Sequence, residues 1–320
     1  MEHRRLGPSQ VEASVVGLGL NNLGRRGTRT EGVEGTNELI HAALDAGVSF
    51  FDTADIYGAQ FGLSETLLGR ALKGLRERVV VATKWGNTNV PQAELDSLGP
   101  KGSPAYIRAA VEGSLGRLGV ERIDLYQQHT PDPATPIAET LGALEELVQE
   151  GKIAAYGHSN FDGGQIRAAA DAAQATGATG FVTAQNEYNL LQRSVERDVL
   201  PASQAAGIGF LPFFPLANGL RTGAFRRDEI PEGTRLANRP KIVDAAPWDA
   251  IEAFRAFAEA RAISMLEATF GWFLGNPAVS SVIAGATKPE QLRANAKAGS
   301  GWRPNPAERE ELEQIFPLSA

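Results

Sequence analysis

The chain alternates two textures from end to end. Short runs rich in β-branched or aromatic residues, bounded by turns, are followed by longer Ala/Leu/Glu segments of helical period. The runs are Val15–Leu20, Val48–Asp52, Val79–Trp85, Ile123–His129, Ile153–Ser159, Phe181–Asn189, Ile208–Phe214 and Ser280–Ala286. Helices are predicted over Thr36–Gly47, Ser64–Gly74, Pro104–Leu118, Ile137–Glu150, Gly164–Ala175, Val195–Ala205, Trp248–Arg261, Ser264–Leu274 and Pro289–Ala298. Eight strands, each followed by a helix, with no linker or shift in composition, predict an α/β chain folded as a single (β/α)8 TIM barrel over residues 1–320. A short N-terminal hairpin, Arg4 to Ala13, precedes the first strand. The irregular stretch from Ala217 to Ala246 reads as a long βα loop over the C-terminal face of the barrel.

A doubly wound dinucleotide fold fits less well. The first strand ends in GLGLNN, with Gly17 and Gly19 but Asn22 where the phosphate-binding fingerprint needs a third glycine. Unusual polar residues also recur at strand ends through both halves: Asp52, Lys84, His129, Ser159, Asn160 and Gln185. A barrel gathers its reactive side chains at the C-terminal ends of several strands, so that spread belongs to one barrel mouth.

Composition excludes some function classes. With 31 basic against 38 acidic residues the net charge is −7, which argues against a general nucleic-acid or anionic-membrane binder. The absence of cysteine excludes a disulfide framework, zinc–thiolate sites and a cysteine nucleophile. Four scattered histidines without an HxH pair argue against a metal-dependent barrel hydrolase, so no metal is expected. The N-terminus MEHRRLGPSQ has no apolar segment or small-residue cleavage site behind its charges, and no run approaches the length of a membrane span. A cytoplasmic protein is therefore the expectation. No heptad seam or evident apolar patch speaks to oligomeric state.

Strand parity converts the polar strand ends into chemistry. Val48, Phe50 and Asp52 share a face, as do Val80, Ala82 and Lys84, and Leu125, Gln127 and His129. If these faces point inward, an aspartate, a lysine and a histidine meet at the mouth, with Tyr57 on the loop just beyond. A buried ammonium needs a partner, and Asp52 is the natural one. The ammonium is expected to lower the Tyr57 pKa from about 10, making the phenol a proton donor near neutral pH. His129 would orient or polarise a carbonyl oxygen held against that hydroxyl, an arrangement suited to carbonyl reduction. His158 falls out of phase with Ala155, Gly157 and Ser159 and is expected to pack outward or cap its strand.

The motifs FFDTADIYG, VVVATKW, IDLYQQHTPD, GHSNF, QNEYNLL, FFPLANGLRTG and IAGATKPEQLRAN follow one another in this order. The chain thereby resembles the aldo-keto reductase superfamily, nearly end to end, and is most similar to bacterial aryl-alcohol-type reductases and potassium-channel β-subunits. The resemblance implies a catalytic tetrad of Asp52, Tyr57, Lys84 and His129. It implies a nicotinamide cofactor, with Ser159, Asn160 and Gln185 on the carboxamide and Phe213 stacked on the ring. Gly19, Leu20, Asn21 and Asp52 fall in the cofactor set at the first two strand ends, although Asn21 is equally readable as an ordinary turn residue. Phe214, Pro215, Leu216 and Gly219 continue that set after the seventh strand, where Phe214 replaces a common serine. Arg235, Gly285, Thr287, Lys288, Gln291 and Asn295 match the adenosine end, where a helix start favours phosphate. Ala224 and Ala294 replace a lysine and a glutamate common in relatives, which leaves Lys288 and Arg235 to favour NADPH over NADH. The implied partner is a small carbonyl substrate lying against Tyr57 and His129; Trp85, beside a strand end, reads equally as a wall of that pocket or as simple packing. The implied activity is reduction of an aldehyde or ketone, or its reverse. The alternative is a nicotinamide-nucleotide-binding redox sensor or regulatory subunit with slow turnover.

Overall fold

A computed structural model describes residues 1–220, 222–223, 225–227, 230 and 239–318. The chain opens with an antiparallel hairpin of β1 (His3–Arg5) and β2 (Glu12–Ser14), in which Arg4 pairs with Ala13. The barrel strands are β3 (Val16–Gly19), β4 (Phe50–Asp52), β5 (Val80–Trp85), β6 (Ile123–Gln128), β7 (Ile153–Ser159), β8 (Thr183–Glu187), β9 (Gly209–Phe213) and β10 (Val282–Gly285). All pair in parallel, and β10 closes the sheet on β3. The helices are α1 (Val33–Asp45), α2 (Leu63–Ala71), α3 (Ala93–Asp96), α4 (Pro104–Leu118), α5 (Ile137–Gln149), α6 (Gly163–Thr176) and α7 (Val199–Ala205). After β9 come α8 (Pro240–Asp244), α9 (Trp248–Glu259) and α10 (Met265–Leu274), and β10 is followed by α11 (Pro289–Gly299) and α12 (Pro306–Ile315). The expected barrel and hairpin are both present. Among the described residues, no helix is long and apolar enough to cross a membrane.

Period and punctuation explain the elements. Successive strand residues face opposite sides, so each strand feeds two cores. The inner core stacks Phe50, Ala82, Leu125, Ala155, Leu211 and Ile283 down the barrel axis. The outer faces carry larger side chains such as Phe51, Tyr126, Tyr156 and Phe210 into the layer beneath the helices. Helix α4 starts on Ser103, whose hydroxyl accepts from the Tyr106 N–H, with Pro104 in the first turn; it ends on Gly119 in the left-handed conformation. Helices α6, α10 and α12 begin with reciprocal capping boxes, Asp162 with Gln165, Ser264 with Glu267 and Asn305 with Glu308.

The hairpin plugs the N-terminal end of the barrel. Leu6 and Ala13 are buried in the inner core with Val182 and Leu211. Gly7 has φ +57°, and a Cβ there would stand 2.1 Å from the Val182 carbonyl oxygen, so the plug seats this deeply only with glycine. With that end stoppered and the middle filled, the polar strand ends open at the opposite mouth.

The sequence reading differs from the structure in four elements, the first being α3, which lies in a stretch read as loop. The segment predicted as a helix from Val195 begins as a 3-10 turn at Ser194–Glu196, and α7 starts only at Val199 on the Asp198 cap. The stretch expected to be irregular after β9 contains α8, and α12 was not anticipated.

Candidate active site

Four strands deliver an interlocked polar layer above the apolar plug. Asp52 ends β4, Lys84 lies near the end of β5, Gln127 on β6 and Gln185 on β8, all on the inward face and all buried. Lys84 Nζ donates to Asp52 Oδ2 at 2.6 Å and to the Thr53 carbonyl at 2.9 Å. The other carboxylate oxygen, Oδ1, accepts from Gln127 Nε2 at 3.1 Å and Gln185 Nε2 at 3.0 Å. Gly157 supplies clearance beside this layer, since a Cβ there would stand 2.2 Å from the Thr183 hydroxyl on β8.

Above it sits the mouth. Tyr57, on the turn after β4, is half-buried, and the Lys84 ammonium lies over its ring at 5.3 Å from the centroid. The His129 imidazole meets the phenol ring edge-on, with centroids 5.8 Å apart and planes at 86°. The loop carrying His129 is tied down beside it. Thr130 Oγ1 accepts from the Thr88 N–H at 2.9 Å, and Asp132 Oδ2 accepts from the Gly102 N–H at 2.6 Å. Asn160 holds φ +63° and donates from Nδ2 to the His129 carbonyl at 2.9 Å and to Ser159 Oγ at 3.0 Å. Ser159 Oγ in turn donates to the Gln185 carbonyl at 2.8 Å. The tetrad residues and the three carboxamide candidates are thus brought together around one opening.

Electrostatics set the protonation states. Burial disfavours the Lys84 ammonium, but Asp52 and the Tyr57 oxygen more than reverse this and hold it above the usual lysine range. Burial pushes the Tyr57 phenol up and Asp52 adds to the push, while Lys84 pulls down; the net direction is upward from 10.0. This corrects the expected lowering, because desolvation of the phenolate outweighs attraction to the ammonium. Tyr57 therefore carries its proton at neutral pH. Burial and the nearby Lys84 push His129 down to about 3, so its imidazole is neutral and can donate from one nitrogen. Nδ1 is buried without a partner among the described residues, whereas Nε2 is not enclosed in that way, which leaves Nε2 for the mouth.

Other expected contacts divide into those the mouth presents and those it does not. Asn21 is half-buried at the mouth, and Gly285, across from it on the neighbouring strand, is exposed. Phe213 and Leu216 are partly exposed, as is Gly219, while Pro215 is buried. Phe214 is exposed with φ +52° and meets Phe213 edge-on at 5.2 Å. At the start of α11, Lys288 and Gln291 are exposed, Gln291 Oε1 accepts from the Thr287 N–H at 3.0 Å, and Asn295 is buried one turn on. Arg235 and Ala224 lie outside the described residues.

Two expectations are corrected. Trp85 has 0% exposure, stacks on Tyr126 at 4.5 Å and donates its indole N–H to the Lys101 carbonyl, so it stands behind the strand and lines no pocket. It follows Lys84 directly, and adjacent strand residues face opposite ways. Leu20 packs in the outer core; its N–H donates to the Asp52 carbonyl and its own carbonyl accepts from Ser64 Oγ, so it anchors the loop. His158 does pack outward, stacked on Phe161 at 4.5 Å.

Sequence reasoning missed Gln127 and Asp55 as members of the site. Gln127 shares the inward parity of His129, and two consecutive glutamines in a barrel strand were the available signal. Asp55 lies within the Asp52–Tyr57 turn, buried, its N–H donating to the Lys84 carbonyl at 3.1 Å. Among the described residues, no three His, Asp or Glu side chains gather as a metal-ligand set.

Comparison with known proteins agrees with this geometry. The profile of the aldo/keto reductase family matches residues 15–315. An aldo-keto reductase of Bacillus subtilis (strain 168), YhdN, is 34% identical over 331 residues, covering 99% of this chain and 94% of the relative. A probable voltage-gated potassium channel subunit beta of Oryza sativa subsp. japonica is 33% identical, covering 93% of this chain and 91% of the relative. An uncharacterized oxidoreductase of Bacillus subtilis (strain 168), YrpG, is 36% identical over 306 residues, with 93% and 91% covered. The chain belongs to the aldo/keto reductase family and is an oxidoreductase.

Proposed function

We propose that this protein reduces an aldehyde or ketone to the alcohol with NADPH, and catalyses the reverse, with Tyr57 as general acid and base. The observation that carries this reading is a neutral phenol placed between the Lys84–Asp52 ion pair and a neutral imidazole at an open barrel mouth. The nucleotide fits the residues present. Gln185 Oε1 accepts no hydrogen bond from the described residues and is not among the buried unpartnered atoms, so it has access to the mouth. Ser159 and Asn160 stand beside it, Phe213 offers a ring face, and the exposed start of α11 with Lys288 suits the phosphates. When bound, reduced nicotinamide supplies the hydride.

The chain's own groups handle the oxygen. Neutral His129 donates to the carbonyl oxygen and fixes it beside the Tyr57 hydroxyl. As negative charge develops there, Tyr57 transfers its proton, since an alkoxide is far more basic than a phenolate. The phenolate left behind faces the Lys84 ammonium, which Asp52 keeps charged and in place. Tyr57→Phe removes the proton and leaves the binding groups; turnover is expected to fall about 10²–10⁴-fold with the nucleotide Kd unchanged. Unimpaired turnover in that variant would refute the role.

Lys288 is the basic group that supports NADPH over NADH at the described adenosine end. Direct measurement of both dissociation constants checks the preference, and tighter NADH binding overturns it. The relation to a channel β-subunit motivates a second reading, a nucleotide-holding regulatory subunit with slow turnover. Repeated oxidation of NADPH with a panel of aldehydes favours the enzyme, and a single slow turnover favours the regulator.

A further inference from the structure

The Asp52 carboxylate can only accept hydrogen bonds, and its two oxygens have different employers. Oδ2 serves Lys84, while Oδ1 receives two primary amides, Gln127 Nε2 at 3.1 Å and Gln185 Nε2 at 3.0 Å. Gln185 Nε2 also reaches Gln127 Oε1 at 3.1 Å. Both N–H groups of the Gln185 amide are therefore committed, one to a charge and one to a neighbouring amide oxygen. Turning that amide over would point its carbonyl at the Asp52 carboxylate and at the Gln127 carbonyl at once, which is repulsive twice. Gln127 itself has no exposed surface, so it touches no ligand.

We propose that Gln127 is a positioning residue that locks the Gln185 amide. With the lock in place, only the Gln185 carbonyl oxygen is offered to the mouth, and the subsite takes a ligand group that donates, the N–H of a carboxamide. The same bonds connect that subsite to the ion pair: a group bound to Gln185 is one amide and one carboxylate away from the Lys84 ammonium that faces Tyr57. Gln127, bonded to both Asp52 and Gln185, braces that direct link between nucleotide recognition and the proton-donor ion pair. This rests on the reading that the mouth binds a nicotinamide nucleotide.

The test compares two reduced nucleotides by equilibrium binding, without turnover: NADPH, and its 3-acetylpyridine counterpart, which keeps the carbonyl and lacks the N–H. Wild-type protein is expected to bind NADPH about three- to tenfold tighter, the worth of one modest hydrogen bond. Gln127→Leu, close in volume, removes one of the two interactions that hold the Gln185 amide and leaves the Asp52 carboxylate to hold it alone, so the ratio is expected to shrink by about half. Gln128→Leu, on the opposite face of the same strand, controls for disturbance of β6 and is expected to keep the wild-type ratio. A Gln127→Leu ratio as large as that of the wild type overturns the proposal, as does equal binding of both nucleotides by the wild type. Failure of the wild type to bind either nucleotide overturns the proposed function and this inference with it. Should Gln127→Leu fail to fold, the Gln185 side-chain amide of the wild type gives the answer by NMR. Protection of both N–H protons from exchange with solvent supports the lock, and rapid exchange of both overturns it.

Discussion

Asp55 offers a test in which the sign and the size both follow from the structure. Its carboxyl is buried, its Oδ1 has no partner among the described residues, and its neighbour Glu65 is itself a buried carboxylate. Arg117, the nearby cation, already donates to Glu65 at 2.6 Å, and Glu65 also accepts from the Thr83 hydroxyl at 2.6 Å. Burial first and Glu65 second push Asp55 from 3.8 up to about 8, with Arg117 offsetting only part of this. The folded protein therefore keeps a proton that the unfolded chain gives up between those two values. Stability must then fall as pH rises through that window, by about 1.4 kcal/mol for each pH unit. Between about pH 5 and about pH 8 the loss from this one group is about 4 kcal/mol, after which it levels off. Asp55→Asn keeps the shape and cannot ionise, so this decline should vanish from the variant. Urea unfolding of both proteins, followed by fluorescence and circular dichroism at steps across that range, reads the difference. The variant should gain steadily on the wild type up to about pH 8 and hold its advantage above it. A stability difference that does not change with pH would refute the reasoning.

Other consequences concern the tetrad. Lys84→Met leaves the Asp52 carboxylate buried beside two amides and without its cation, so about 3–5 kcal/mol of stability should be lost, measurable by chemical denaturation. The same variant removes the downward pull on Tyr57, and its residual turnover should fall by more than a folding defect explains when compared at equal folded fraction. His129, held down to about 3, should contribute no acid limb to the pH dependence of kcat above about pH 4. An inflection near the ordinary histidine value that His129→Gln abolishes would count against a neutral imidazole.

Much of the architecture was written in the spacing of apolar residues. Inward parity alone assembles Phe50, Ala82 and Leu125 into the barrel core and sends Asp52, Lys84 and His129 to one end, as found. Where the reading slipped, a local rule had been available. Trp85 reads from its place beside a strand end as either pocket wall or packing, and the parity rule decides between them: one step along the strand from inward Lys84 reverses the face, and its indole lies in the outer layer. Helix α12 announces itself in Asn305, Pro306 and Glu308, an N-cap, a first-turn proline and a capping-box partner. Depth was not legible. The sequence shows that Asp55 lies three residues from Asp52, but only the packing of the turn against β5 shows that its carboxyl is sealed from water.

The same distinction explains why the direction for Tyr57 came out opposite to expectation, and why the chemistry survives the reversal. Neighbour identity says that an ammonium stands beside a phenol; it does not say how much water the phenolate would lose. Burial raises the proton affinity of Tyr57, and Asp52 with Tyr57 raises that of Lys84, so both keep their protons at neutral pH. With His129 neutral, the ion pair supplies the only full charges in the tetrad, and they cancel. On the proposed function, a carbonyl entering this mouth would meet no net charge. In the proposed reaction, negative charge developing on its oxygen would be drawn toward the Lys84 ammonium, whose Asp52 partner also accepts from Gln127 and Gln185. Moving the proton from Tyr57 to that oxygen would relocate the negative charge to the phenolate, next to the ammonium. A phenol that had already ionised would have neutralised Lys84 before the substrate arrived and would have had no proton to give. The raised proton affinity is therefore what keeps the donor loaded, and the ammonium acts on the product of proton transfer rather than on the resting phenol.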